Sequence, residues 1–121
     1  MDYASSVDLK SAMFPGVHFR IARISFGRRL ELTRQVRELG QRIAFDEAGE
    51  TADSKLSAAI SRAEVDRLYL DWALIDIRGL RIDGIEASPE LLIACGPEEL
   101  VREIVAAIRR ECGLSEDERK N

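Results

Sequence analysis

The chain is predicted to be mainly α with a small β component (α+β): about four helices with a small β-hairpin or three-stranded sheet. Three observations predict this class. Apolar residues recur at three- and four-residue spacing over Leu32–Ile43, Leu56–Ile75 and Leu100–Ile108, which is the period of a helix. Val17–Phe26 instead alternates apolar and polar residues. Asp83-Gly84, between Leu80-Arg81-Ile82 and Ile85-Glu86-Ala87, suits the positive φ angles of a two-residue type I′ turn. With 121 residues, 45% apolar and 33% charged, the chain is long enough for one core and too apolar for general disorder.

Taken in order, residues 1–16 show no sustained period and are read as a mobile arm or short helix closed by the break Phe14-Pro15-Gly16. Residues 17–114 are read as one globular domain. It opens with a strand in which Val17, Phe19 and Ile21 share one face before Ile24 and Phe26 take the opposite parity, predicting a bulge or twist near Arg23. A first helix follows over about Arg28–Phe45, with Leu32, Val36, Leu39 and Ile43 as its apolar stripe. Residues 46–51 form a polar break, after which Asp53 or Ser54 caps a long second helix. Its stripe begins at Leu56, Ala59, Ile60 and Ala63 and shifts to Val65, Leu68, Tyr69, Trp72 and Ile75, predicting a bend or a break near residues 61–64. Asp66, Asp71 and Asp76 line the other side, and Trp72 is read as a core anchor.

The hairpin of residues 80–87 is expected to pair with the Val17–Phe26 strand or to lie on a helix, because two short strands alone are marginal. Ser88 caps a short helix with Pro89 at its first position and Glu90 in its first turn, ended by Gly96. Pro97 opens the last helix. Glu98 and Glu99 sit at its start, Arg109 and Arg110 at its end, and Gly113 follows, each charge having the sign that the helix dipole favours. The expected core includes Leu32, Val36, Leu68, Trp72, Leu100 and Ile104. Residues 115–121 contain no apolar residue and are read as a charged flexible tail.

A search for chemistry in the sequence yields no catalytic arrangement. His18 is the sole histidine and stands in a strand pattern with no ligand at local spacing. Cys95 and Cys112 form no CxxC pair, and they are read as half-buried reduced thiols. Phosphate-binding loops, HExxH and GxSxG are absent. Glu98-Glu99 and Asp46-Glu47 read as a helix start and a solvated loop rather than an acid–base pair. The chain is therefore read as a non-enzyme, with no catalytic, cofactor-binding or metal site.

Charge is segregated along the chain. Residues 1–16 carry Lys10 against Asp2 and Asp8; residues 17–43 carry seven arginines against Glu31 and Glu38; residues 44–121 carry 10 basic and 18 acidic residues. The overall charge is −4. Such a pattern serves to guide a partner, or is satisfied inside one fold. Arg28, Arg29, Arg34 and Arg37 on the first helix, with Glu116, Asp117, Arg119 and Lys120 in the tail, are the candidate partner-binding residues. An alternative is nucleic-acid binding through the Arg-rich segment 20–42, opposed by a pI near 5.1 and the lack of aromatic–basic interleaving. No apolar run reaches the length of a membrane span, and MDYASSVDLK lacks the basic start of a signal peptide, which is the cytoplasmic reading.

Three segments, SFGRRLELTRQVRELGQR, YLDWALIDIRGLRIDG and GPEELVREIVAAIRRECGLSEDERKN, carry a resemblance to a known family. Over about residues 17–121 the chain resembles the small proteins of bacteriophage and prophage tail gene clusters described as tail assembly chaperones. The resemblance implies a non-enzymatic factor in the host cytoplasm that binds the coiled-coil tape-measure protein, keeps it soluble, helps recruit tail-tube subunits and is absent from the mature virion. Homo-oligomerisation is compatible with it, and a structural tail or neck protein is the alternative within the same setting. Members of the family are often extended by a −1 ribosomal frameshift, and Lys120-Asn121 can be encoded by AAA AAC. A chaperone of an amphipathic helix needs an apolar surface with charged surroundings, which agrees with the residue-level reading.

Overall fold

The protein, represented by a computed structural model, is described over residues 1–113. The expected tail residues Glu116, Asp117, Arg119 and Lys120 lie outside the described residues. The elements in chain order are strands β1 (Ser6–Lys10) and β2 (His18–Ala22), helices α1 (Phe26–Ala48) and α2 (Ala52–Ala73), strands β3 (Leu74–Arg78), β4 (Arg81–Ile82) and β5 (Ile85–Glu86), and helices α3 (Pro89–Cys95) and α4 (Glu98–Glu111). This is the mainly α, α+β class expected. The chain divides into two compact units, residues 1–24 with 70–113 and residues 25–69.

The first unit is built on an antiparallel sheet of order β1-β2-β3. β1 corrects the expected mobile arm or short helix at residues 1–16, because Ser6–Lys10 pairs with Ala22–His18 along its whole length. Local periodicity could not show this, since the ladder partner is supplied by β2. β3 is a second correction: Leu74–Arg78 was expected to continue the second helix, but it pairs with β2 through Phe19↔Ile77 and Ile21↔Leu74. The register shifts between these pairs, so Ile75 is left as the extra residue of a bulge and is half exposed at 49%. That extra residue lets Leu74 and Ile77, three apart, both be buried. The bulge expected near Arg23 is absent. β2 stops at Ala22, and the parity change at Ile24 and Phe26 reflects the approach to α1 rather than a kinked strand.

One face of the sheet is covered by helix. Phe19 and Ile21 of β2 are buried with Leu92 of α3 and Leu100, Ile104 and Ile108 of α4, and α3 and α4 pack on β3 and β2 respectively. Burying such side chains contributes roughly 1.5–3 kcal/mol each. Both helices begin and end as the sequence predicts. The Ser88 hydroxyl accepts from the Leu91 amide at 3.1 Å, Pro89 and Glu90 occupy the first turn of α3, and Glu98, Glu99, Arg109 and Arg110 flank α4. The β4–β5 hairpin has the expected turn, with φ of 52° at Asp83 and 80° at Gly84. It forms its own two-stranded sheet beside α3, the second of the two expected arrangements, and does not pair with residues 17–26.

Two loops of this unit meet at Gly79. Its φ is 81°, and a Cβ placed there would collide with the Gly16 carbonyl oxygen. The Phe14-Pro15-Gly16 break is thus a close backbone crossing as well as a turn. The segment before it is anchored to α4: the Ser11 hydroxyl donates to Glu103 Oε1 at 2.6 Å, and the Ala12 amide donates to Glu103 Oε2 at 2.7 Å. Ser11 also accepts from the Phe14 amide at 2.9 Å.

The second unit is a helical hairpin, α1 followed by α2 after Gly49-Glu50-Thr51. The Ser25 hydroxyl caps α1 by accepting from the Arg28 amide at 3.1 Å. The cap of α2 is Thr51, whose hydroxyl accepts from the Ser54 amide at 3.1 Å, in place of the expected Asp53 or Ser54. α1 extends to Ala48, so Asp46 and Glu47 belong to its last turn and not to a loop. Glu47 forms an ion pair with Arg62, which joins the two helices.

The less exposed α1 positions are Leu32, Val36, Leu39, Ile43 and Asp46; those of α2 from Ala52 to Tyr69 are Ser54, Ser57, Ala58, Ser61, Val65, Asp66, Leu68 and Tyr69. Both rows step mainly by three and four, as in paired helices. α2 is continuous from Ala52 to Ala73, so no break falls at residues 61–64. Of the expected core, Leu32, Leu100 and Ile104 are buried, while Val36, Leu68 and Trp72 are only half-buried.

Candidate functional site

α1 carries the candidate surface. At 100° per residue, Phe26, Leu30, Thr33, Arg34, Arg37, Gln41 and Ala44 fall on one side of the helix, away from the Leu32–Ile43 row. All seven are exposed, Phe26 at 82% and Leu30 at 56%. The four acids of α1, Glu31, Glu38, Asp46 and Glu47, fall elsewhere on the helix. The result is an apolar start, Phe26 and Leu30, running into the positive charges of Arg34 and Arg37. Arg34 touches Glu31 only at 4.0 Å, an exposed pair of little strength.

The sequence-predicted arginines are thus partly brought together. Arg34 and Arg37 share the face with Phe26 and Leu30, whereas Arg28 and Arg29 flank the Leu32 row near the start of the helix, and all four are exposed. Phe45, exposed at 81%, lies on the opposite side of α1 from the Leu32 row.

A second surface escapes periodicity analysis. Leu56, Ala59, Ile60 and Ala63, the residues expected to begin the buried stripe of α2, are all exposed, Leu56 at 61% and Ile60 at 53%. Over this half of α2 the buried positions are Ala58, Ser61 and Val65, and Tyr69, Leu70 and Ala73 follow further along. The apolar stripe is real but faces outward, and the inner row beside it starts with the small residues Ala58 and Ser61, which give little hydropathic signal.

On the open face of the sheet Asp8 receives Arg20 through both oxygens, at 3.0 and 3.3 Å, and Arg78 at 3.2 Å. Asp76 lies 3.7 Å from Arg78 and is therefore a strand residue, not part of an acidic helix side with Asp66 and Asp71. The hydrogen bonds from Arg20 lower the Asp8 pKa below the usual aspartate range; desolvation opposes the shift, and the charges of Arg20, Arg78 and His18 reinforce it. His18 is half-buried on β2 and stands in register with Lys10 and Arg78, both cationic. Cys112 is buried and Cys95 exposed, which replaces the expectation of two half-buried thiols. Among the described residues no group of three or more His, Cys, Asp and Glu is placed to hold a metal. No helix of these residues is long and apolar enough to cross a membrane.

Comparison with protein-family models, curated proteins and solved structures finds no match.

Proposed function

We propose that the protein is a non-enzymatic tail-assembly chaperone of a bacteriophage or prophage, acting in the host cytoplasm on the tape-measure protein and helping tail-tube assembly. The observation that supports it is the α1 face on which Phe26 and Leu30 stand beside Arg34 and Arg37 with no acid among them. Exposed aromatic and aliphatic side chains next to arginine are the ingredients of an anchor for an amphipathic helix. The sign of the charge selects a helix whose rim is acidic, and a long coiled-coil protein offers many such stretches. The resemblance of residues 17–121 to the chaperones supplies the setting.

Co-expression tests the reading. A tape-measure protein is expected to be soluble with the chain, insoluble without it, and recovered with it by size exclusion. Phe26→Ala with Leu30→Ala, and Arg34→Glu with Arg37→Glu, should each weaken the complex by tenfold or more, since anchors of this type cost about 1–2 kcal/mol or more when removed. Equal solubility with and without the chain overturns the proposal. Finding the chain in purified particles would instead make it a structural tail or neck protein. DNA or RNA binding that falls steeply with salt would assign the same arginines to phosphate contacts.

A further inference from the structure

We propose that an outer seam of α1 receives one acidic helix of about five turns whose side chains grow in size along its length. Small residues face Phe26 and Leu30, an acid faces Arg37, and large apolar residues face Gly40 and Ala44. The inference rests on the reading of this face as the chaperone's docking surface and specifies what docks there.

Phe26, Leu30, Thr33, Arg37, Gly40 and Ala44 follow one another at steps of four, three, four, three and four. That is the spacing of contact positions in a two-stranded coiled coil. All six are exposed, and they are distinct from the less exposed row of Leu32, Val36, Leu39 and Ile43. α1 therefore presents a second seam, about 27 Å long. Gly40 is its clearest mark. Glycine is poorly suited to a helix interior, yet a Cβ at Gly40 would meet nothing within 4 Å, so no described neighbour requires the bare position. A seat for the side chain of a partner helix does require it. Because the seam is bulky at Phe26 and Leu30 and bare at Gly40 and Ala44, a helix lying flush along it has the opposite taper.

Charge decides which helix that is. A second copy would meet the size requirement, since an antiparallel pair can set Phe26 opposite Ala44, Leu30 opposite Gly40 and Thr33 opposite Arg37. The same alignment gathers Arg34 and Arg37 of both copies within about one turn of its centre. No acid stands in the seam or at the positions directly beside it to offset them. A parallel pair sets Arg37 against itself. Like charges so placed oppose contact between copies, whereas an acid on a different helix is attracted to Arg37 and to Arg34 beside it. The occupant is thus an acidic helix of another protein.

Fluorescence anisotropy with the full chain and labelled synthetic helices tests the proposal. The leading peptide, about 22 residues long to span the seam, has alanines at its first contact positions, glutamate in the middle and leucines at its last. It should bind, and the version with lysine for glutamate should bind at least tenfold more weakly. Gly40→Leu should weaken the leading peptide at least tenfold with no loss of helix by circular dichroism, because the position is exposed and leucine favours a helix. A trimmed peptide, with alanines in place of the leucines, should bind Gly40→Leu more tightly than the leading peptide does, reversing their order on the parent chain. No binding of the leading peptide, equal binding of the lysine version, or an unreversed order on Gly40→Leu overturns the proposal. So does a dimer of the chain alone that Gly40→Leu dissolves, which would give the seam to a second copy. A tape-measure protein kept soluble equally well by Gly40→Leu would remove the seam and leave the chaperone reading standing. Peptides that bind as described, to a chain that solubilises no tape-measure protein, would do the converse.

Discussion

Asp8 illustrates what single residues contribute beyond the core. Its carboxylate is held between Arg20 and Arg78 on an exposed sheet face, and its folded-state pKa is depressed. A depressed pKa means that the ionised form is favoured by folding, so the contribution is present above the unfolded value and lost as pH falls through the folded one. Thermal melts from pH 6 to pH 2 should show a fall in Tm on the acid side that is smaller in Asp8→Asn than in the parent. Parallel curves would show that the pair with Arg20 contributes nothing to stability. None of this was visible in SVDLK, because the partners of Asp8 stand 12 and 70 residues away. The same holds for Ser11, whose acceptor Glu103 reads in the sequence as an ordinary helix residue.

At the scale of elements, legibility followed the locality of the signal. α3, α4 and the β4–β5 turn are written in caps, terminal charges and an Asp-Gly pair, all within a few residues, and they formed as expected. The N-cap of α3 supports a measurement: Ser88→Ala removes the acceptor of the Leu91 amide and should cost about 1 kcal/mol. That corresponds to a drop in Tm of several degrees, and no change in Tm would show that the Ser88 bond is replaced by water. β1 and β3 are defined by their neighbour β2 and so left no local trace. β3 was further concealed because LYLDWALIDIR is apolar at both helical and strand spacings. The inner row of α2 was missed for a different reason. Ala58 and Ser61 are small, and the larger Leu56 and Ile60 carry the helical period on the exposed side.

For the molecule as a whole, the two units differ in how much they bury. The sheet unit owns nearly all the fully buried large side chains, including Phe19, Ile21, Leu92, Leu100, Ile104 and Ile108. α1, with 23 residues, buries only Leu32. Few buried contacts mean low local stability. Amide hydrogen exchange should therefore be faster in α1 than in β2 and α4 by about a hundredfold, a local opening energy lower by about 2.7 kcal/mol. Equal protection would mean that α1 opens only when the whole chain unfolds. A weakly held helix with exposed Phe26 and Leu30 is suited to adapting to a partner, which links this measurement to the proposed function.

The order of the strands has a kinetic consequence. β2 and β3 are neighbours in the sheet, yet Ile21 and Leu74 are separated by the entire helical hairpin. Closing so long a loop from an unstructured chain is slow and entropically costly, although each doubling of loop length adds only about 0.6 kcal/mol. Helices assemble from near neighbours and form early. A hairpin that has already doubled the chain back on itself brings Ile21 and Leu74 toward each other before they pair. The α1–α2 turn thereby serves as the reel that shortens the search for the central strand pairing.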